Sequence, residues 1–357
     1  MWKKIILMVA AAAMTAAHGN AGARDFYAGK QLSVLVNFDA GGAATVEARL
    51  FANHVRRHIP GNPRIIVQNM GGAAGLIATK YLGEVAPRDG SMVGYFTAAS
   101  QRYVNNPERF KVDFRTYEFI AVVPSGRVHF MRRDVKPGMT TAADILKAQD
   151  LVVGGLGPEQ PKDMAMRLTL DLLGAKYKYV TGYNSSALAM VALQRGEISY
   201  YSDSPALYKS NIDPLVKAGE LLPVFYDPAF DGTAFSVPQY MKGYPVLGFH
   251  QLYQQVHGKM PEGPLWDAYK SLLQVNGMMY RLLALPPGSP KEAVNALREA
   301  VASLEQDPAF IADAKKVLGD VPQYVTGPNL NEEVQRALTI SPNLRNFMED
   351  YIKRPNR

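Results

Sequence analysis

The chain has no cysteine among its 357 residues. That absence excludes disulfides, thiolate metal sites and a cysteine nucleophile, and it removes the residue to which a lipid anchor would be attached. Long apolar runs are also missing. One run ends at Ala17, and no later one reaches the ~18 uninterrupted apolar residues of a membrane-spanning helix. The sequence therefore predicts a protein without a membrane anchor.

Signatures of catalysis are absent as well. No G-x-S-x-G elbow, Gly-Lys-Ser/Thr phosphate loop or G-x-G-x-x-G fingerprint occurs. His54 and His58 stand four residues apart, but Val55, Arg56 and Arg57 between them provide no glutamate for a zinc protease. Both are predicted to be surface histidines. We expect no enzyme, no cofactor and no metal site, and an exported hydrolase is the weakest of the functional alternatives.

Composition indicates a globular protein. Hydrophobic residues make up 47% and charged residues 20%, and the length suits two domains. The net charge of +7 is accompanied by no basic run with interleaved aromatics, so nucleic acid is not an expected partner.

The N-terminus has the layout of a secretory signal peptide. Lys3 and Lys4 precede an apolar run from Ile5 to Ala17, and small residues at 21–23 precede Arg24. Cleavage after residue 23 would lower the net charge to +5, because only the two lysines are lost. We expect a periplasmic protein that is exported, cleaved and not lipid-anchored.

A strand, a glycine turn and a helix follow one another in the segment Leu32 to Arg49, LSVLVNFDAGGAATVEAR. This order directs the unpaired N–H groups of a helix start beyond the carboxyl end of the strand, which is an anion-binding geometry. The pattern recurs from Arg64 to Gly83 as RIIVQNMGGAAGLIATKYLG. Two adjacent loops of this kind predict a receptacle for a negatively charged or carbonyl-rich ligand.

Strands and helices alternate over the first third of the chain, which predicts a parallel sheet covered by helices. A second series of the same kind begins near Val122, and the chain then returns to the first lobe. In that returning part, Ser289 to Glu292 predicts a capping box with Pro290 at the first helical position, and Asp307-Pro308 predicts a helix that ends at Gly319. Residues 244–280 are predicted to be mostly helical packing elements, and residues 343–357 a helix on the first lobe.

With these features, the sequence resembles the periplasmic receptors of tripartite tricarboxylate transporters, the Bug receptors. Their P-F-x-A-G-G-G-x-D loop is matched by residues 37–45, NFDAGGAAT, and their asparagine-glycine loop by residues 69–75, NMGGAAG. Residues 86–91, 179–188, 195–203 and 286–294 match further motifs in order. Three positions depart from the family pattern: Thr45 replaces the loop acid, Asn184 the lysine of Tyr-Lys-Gly, and Ser199 an aspartate.

The resemblance implies an α/β fold of two lobes like that of periplasmic binding proteins, each a mixed, mainly parallel sheet flanked by helices. Residues 24–123 and 226–357 would form the first lobe and residues 124–225 the second. It also implies that loop amides and bridging waters hold a small carboxylate. The ligand-binding residues expected from the loops and the resemblance are Phe38, Ala40, Gly41, Gly42, Thr45, Gly71, Gly72, Ala98, Ser100, Gly157, Tyr183, Asn184, Ser185 and Asp203.

Two functions from different classes follow. The first is a monomeric receptor whose lobes close on a carboxylate and which delivers it to membrane permease subunits. The second is a sensory protein that presents the ligand signal to a membrane signalling partner without transport.

Overall fold

The computed structural model describes residues 26–183, 186–238 and 241–354, without the side chains of Ala74 and Ala206. The predicted signal peptide, residues 1–23, lies outside the described residues, as do Asn184 and Ser185. Among the helices that are described, none is long and apolar enough to cross a membrane.

Two five-stranded sheets organise the chain, and strands are numbered in chain order. The first sheet has the order β2-β1-β3-β12-β4 and the second the order β7-β6-β8-β5-β9. The first contains β1 (Gln31–Val36), β2 (Arg64–Asn69), β3 (Met92–Thr97), β4 (Glu118–Val123) and β12 (Arg281–Leu285). The second contains β5 (Val128–Arg132), β6 (Val152–Gly154), β7 (Lys178–Val180), β8 (Tyr200–Asp203) and β9 (Leu221–Tyr226). A hairpin of β10 (Ala229–Phe230) and β11 (Phe235–Ser236) follows.

Each sheet has one strand that runs against the others. β12 is antiparallel to β3 and β4, and β5 is antiparallel to β8 and β9, whereas β1 pairs in parallel with β2 and β3, and β6 with β7 and β8. This arrangement confirms the predicted fold class of two mixed, mainly parallel sheets.

Helices cover both faces of the sheets. They are α1 (Ala43–Val55), α2 (Leu76–Glu84), α3 (Ala99–Asn105), α4 (Pro161–Leu173), α5 (Ser186–Gln194), α6 (Pro205–Leu207), α7 (Asp213–Lys217), α8 (Phe249–His257), α9 (Pro264–Leu272), α10 (Lys291–Leu304), α11 (Pro308–Leu318), α12 (Leu330–Leu338) and α13 (Pro342–Lys353). Short 3-10 segments are Arg56–His58, Ala73–Gly75, Pro107–Arg109, Phe114–Thr116 and Ala142–Lys147. Tyr208–Ile212 and Leu273–Gly277 are π-helical.

Side-chain alternation along the strands creates a core on each face of the first sheet. Val34 and Val36 pack with Phe51 of α1 in one core, and Leu35 packs with Leu82 of α2 in the other. The second sheet has the same plan, because Tyr200 belongs to the core of α4 and α9, whereas Tyr201 belongs to the core of α5.

The predicted division of the chain at residues 123 and 225 stays a prediction, but three helices assigned to the first lobe pack elsewhere. Phe249 of α8, Trp266 of α9 and Tyr351 of α13 lie in the core of the second sheet. The C-terminal segment is therefore helical as expected, but its buried side chains lie against the second sheet. The apolar face of α13 depends on contacts with α4 and α9 that sequence spacing does not specify.

Two local predictions are wrong. His54 is buried, and its Nε2 lies 2.9 Å from Oδ2 of Asp313, so it is not a surface histidine. The capping box at α10 does not form, because the Ser289 hydroxyl donates to the Pro286 carbonyl and Pro290 is the N-cap. The start of α11 at Pro308, after the Asp307 cap, and its end before Gly319 are confirmed.

Candidate functional site between the lobes

A cavity of about 1180 Å³ lies between the two sheets. Ala43, Val46 and Glu47 of α1 line it from the first lobe, and Ser186, Asp203 and Ser204 line it from the second. Residues 124–127, between β4 and β5, and Leu273, Gly277 and Tyr280, between α9 and β12, connect the two sheets and line it as well. A ligand in this cavity would touch both lobes and these connections.

The first lobe presents three helix starts at the carboxyl edge of its sheet. β1, β2 and β3 are followed by α1, α2 and α3, whose N-caps are Gly42, Gly75 and Ala98. None of these caps accepts a hydrogen bond through a side chain, and no acid occupies the first turn of any of the three helices. Their first N–H groups and the positive ends of their dipoles therefore favour an anion at this edge.

Two asparagines fix the loops that carry these helix starts. Asn37 is buried, accepts from the Thr97 amide at 3.0 Å and donates to the Thr97 carbonyl at 3.0 Å. Asn69 donates to the Phe38 carbonyl at 2.8 Å and to the Thr45 hydroxyl at 2.7 Å. Thr45 is buried, and its hydroxyl therefore stabilises the first loop through a hydrogen bond inside the protein.

Glycine is required where the two loops approach each other. A Cβ on Gly71 would overlap the Asp39 carboxyl group, and a Cβ on Gly75 would overlap the Asn37 amide. Gly41 and Gly72 have left-handed φ values of 93° and 110°, which glycine adopts without strain. The exposed Asp39 also brings a negative charge to the first loop, a feature that the motif comparison did not single out.

Gly157 and Ser100, both predicted site residues, donate hydrogen bonds to other groups of the protein. The Gly157 amide donates to Oδ2 of Asp163 at 2.7 Å, and the Tyr179 hydroxyl donates to the same oxygen at 2.7 Å. Ser100 is buried and donates to the Met279 sulfur at 3.3 Å. These contacts hold the loops in place and leave neither donor directed at a ligand.

Lys162 is a candidate residue that sequence reasoning missed. Its ammonium donates to the Tyr201 hydroxyl and lies 3.5 Å from the Ser186 hydroxyl on the cavity wall. Burial lowers the pKa of Lys162 to about 8, while the charge of Asp203 opposes that shift. A lysine in the first turn of α4 opposes the helix dipole, and this conflict is the sequence signal that could have identified it.

The remaining predicted residues divide by exposure. Ala40, Gly41, Gly42 and Gly72 are exposed on the first-lobe edge, whereas Phe38, Gly71, Ala98 and Tyr183 are half-buried. Asp203 is buried and lines the cavity, and Gly42 directly precedes Ala43 on the opposite wall. The cavity therefore has the first residue of α1 on one wall and Asp203 on the other, and the glycines of the two loops are not among the residues that line it.

Burial lowers the pKa of Arg102 on α3, and the charge of Glu159 in the loop before α4 opposes this shift. Among the described residues, no group of three or more histidines and acids is arranged to hold a metal ion.

No family model matches the chain, and no curated protein matches it. Several solved structures match the chain. A TctC solute binding protein from Polaromonas matches with a TM-score of 0.66 and 20% identity, covering 91% of this chain and 99% of its own. The periplasmic binding protein BugD matches with a TM-score of 0.58 and 19% identity, covering 91% and 98%. MatC from Rhodopseudomonas palustris, with bound malate, matches with a TM-score of 0.54 and 17% identity, covering 91% and 99%. The chain shares the fold of these binding proteins.

Proposed function

We propose that the protein is a periplasmic receptor that captures a small carboxylate between its lobes and delivers it to a tripartite tricarboxylate-type membrane transporter. The observation that carries this proposal is the cavity that Ala43, at the start of α1, and Asp203, at the end of β8, line from opposite lobes. An uncapped helix start on its wall attracts an anion, and the connecting segments beside it allow the lobes to close.

The similar solved structures support the same chemistry. Malate is bound in the MatC structure, and another Rhodopseudomonas palustris protein, with a TM-score of 0.57 and 17% identity, is described with adipate. Both ligands are small dicarboxylates. The TctC protein from Polaromonas is a solute binding protein and BugD is a periplasmic binding protein, which supports solute capture over catalysis and over a purely sensory role.

The binding mode combines amides of the first lobe with side chains of the second. Gly41, Gly42 and the start of α1 hold one carboxylate, because an amide that binds a charged acceptor contributes roughly 1.5–3 kcal/mol. Three or four such bonds suffice for micromolar affinity, which corresponds to about 8 kcal/mol. The receptor acts as a monomer, needs no cofactor, and loses residues 1–23 on export.

A thermal-shift screen of residues 24–357 against mono-, di- and tricarboxylates and aromatic acids tests this function. A ligand at 100 times its Kd adds about 2.7 kcal/mol of stability, which raises Tm by several degrees. A shift that is confined to one carboxylate class supports the receptor and names its ligand class. A flat response over the whole panel contradicts it.

A further inference from the structure

Asp203 lies on the cavity wall, and one of its two carboxylate oxygens has no hydrogen-bond partner. The residue is 7% exposed, and its Oδ1 accepts from the Ser204 amide at 2.7 Å. Its Oδ2 is buried and has no hydrogen-bond partner. A buried acceptor without a partner costs roughly 1–3 kcal/mol, so a ligand group that donates to Oδ2 would recover that loss.

A cation lies behind Ser186, which lines the cavity on the same lobe as Asp203. Tyr201 and Asp203 are two residues apart on β8, so their side chains share one face of the sheet. The Tyr201 hydroxyl accepts from the Lys162 ammonium and donates to the Ser186 hydroxyl at 3.2 Å. The ammonium is also 4.0 Å from the centre of the Tyr201 ring. Lys162, Tyr201 and Ser186 therefore form a positively charged cluster on the same face of β8 as Asp203, and Ser186 carries it to the cavity wall.

From this juxtaposition we infer that the second lobe selects a carboxylate that carries a hydrogen-bond donor, a hydroxyl or an ammonium, on the carbon next to the carboxyl group. The carboxylate pairs with Lys162 and the Ser186 hydroxyl, and the neighbouring donor binds Oδ2 of Asp203. The inference rests on the proposed function and adds a specificity that the helix starts of the first lobe cannot provide, because amides recognise any carboxylate.

Apart from Asp203, the acids on the cavity wall have partners, and the cations Lys209 and Lys242 also line the cavity. Arg127 lies 3.6 Å from Asp227, and the Arg281 guanidinium binds Glu47 through two hydrogen bonds of 2.6 and 2.7 Å. Asp320, the other acid on the wall, accepts from the Val321 amide at 2.8 Å and belongs to the first lobe. Asp203 is the cavity acid whose second oxygen is buried and unpartnered among the described residues.

Calorimetric titration of the purified protein with succinate, malate and aspartate tests the inference. Succinate has no donor on the carbon next to either carboxyl group, malate adds a hydroxyl there and aspartate an ammonium. We expect malate or aspartate to bind at least tenfold more tightly than succinate, and the preferred one of the two identifies the donor. Equal affinity for all three overturns the inference while leaving carboxylate binding in place.

The variant Asp203→Asn locates the effect. An amide turns the free acceptor into a donor, so the preference for malate or aspartate over succinate should fall at least tenfold. Asp320→Asn is the matched control, because it makes the same substitution on the same cavity and should keep the preference. A preference that survives in Asp203→Asn overturns the inference. If that variant does not fold, the wild-type comparison decides alone. If no carboxylate binds, the proposed function itself is wrong.

Discussion

Lys162 occupies an unfavourable place for a cation. It lies in the first turn of α4, where the helix dipole is positive, and it is largely removed from water. The Tyr201 hydroxyl and the Ser186 hydroxyl are its contacts. Groups that are held in such perturbed states cluster at functional sites, which agrees with a role for this ammonium in ligand binding.

Replacing Lys162 with methionine should stabilise the free protein at neutral pH. Burial lowers the pKa of Lys162 to about 8, below the unfolded value, so the folded state carries a penalty whenever the lysine is charged. We expect the free energy of unfolding of Lys162→Met to exceed that of wild type by about 1–3 kcal/mol at pH 7. This gap should close as the pH rises from about 8 to about 10.5. Urea unfolding at a series of pH values measures it, and a gap that is independent of pH contradicts the burial argument.

The contact between Gly71 and Asp39 gives a second prediction for single residues. An alanine at position 71 would displace the Asp39 side chain, so Gly71→Ala should cost about 1–2 kcal/mol. In an Asp39→Ala background the same substitution should cost much less, because the obstructing carboxyl group is gone. Equal costs in the two backgrounds, measured by denaturant unfolding, would show that the two loops do not touch in this way.

At the scale of elements, two late helices illustrate how caps form. Asp307 caps α11 by accepting from the amides of Ala309 and Phe310, and it also binds Arg57 and His58 at the end of α1. Ser289 before α10 donates instead to a turn carbonyl. Both starts have a polar residue before proline, so the sequence cannot tell which side chain a neighbouring turn will recruit.

Asp307 should therefore contribute more than an ordinary cap. We expect Asp307→Ala to lower the free energy of unfolding by about 2 kcal/mol, and Asp307→Asn, which keeps the cap acceptor, by about half of that. Burial opposes ionisation of Asp307, but hydrogen bonds from His58 and Arg57 outweigh it and hold its pKa below the ordinary value. The difference in the free energy of unfolding between wild type and Asp307→Asn should thus be largest above pH ~4 and shrink as the pH falls below that value. An Asp307→Asn variant that is as stable as wild type at pH 7 contradicts the ion-pair contribution, and equal losses in the two variants contradict the cap contribution.

Sequence periodicity predicted most elements because each has an apolar face and a local start or stop signal. Both glycine loops were predicted at the strand ends, and Asp203 was expected from the family resemblance. The failures involve tertiary contacts: His54 is buried by its pairing with Asp313, and Lys162 acquires a role only through Tyr201 and Ser186, which are distant in sequence. Gly157 and Ser100 have internal partners that no local pattern reveals.

At the scale of the whole molecule, α13 connects the two lobes. Arg345 donates to the Val104 carbonyl of α3 at 3.0 Å, and the Tyr351 hydroxyl donates to Asp171 of α4 at 2.8 Å. On the cavity side, Asp227 accepts from the Tyr269 hydroxyl at 2.7 Å and lies 3.1 Å from Nε2 of His129. These contacts link α13 to both lobes and hold Asp227 against the second sheet.

Hydrogen exchange can test this assignment of α13. Tyr351 is 1% exposed, and Tyr351→Ala should cost about 3–5 kcal/mol by leaving a cavity beside α4. Protection should fall in β5 to β9 more than in β1 to β4. Tyr351→Phe, which keeps the ring and loses one hydrogen bond, is the control and should cost about 1 kcal/mol. Loss of protection confined to the first sheet would show that α13 packs on the first lobe.

We propose above all that one carboxylate ligand is held by both lobes at once. Gly42 has an extended φ of −82°, and the nearest atom to an added Cβ is 4.0 Å away, so Gly42→Val fits the backbone while covering the start of α1. Calorimetric titration of the tightest carboxylate into wild type, Gly42→Val and Lys162→Met is the most direct measurement. We expect at least a tenfold loss of affinity in each variant at pH 7. Unchanged affinity in either variant would show that its lobe does not hold the ligand.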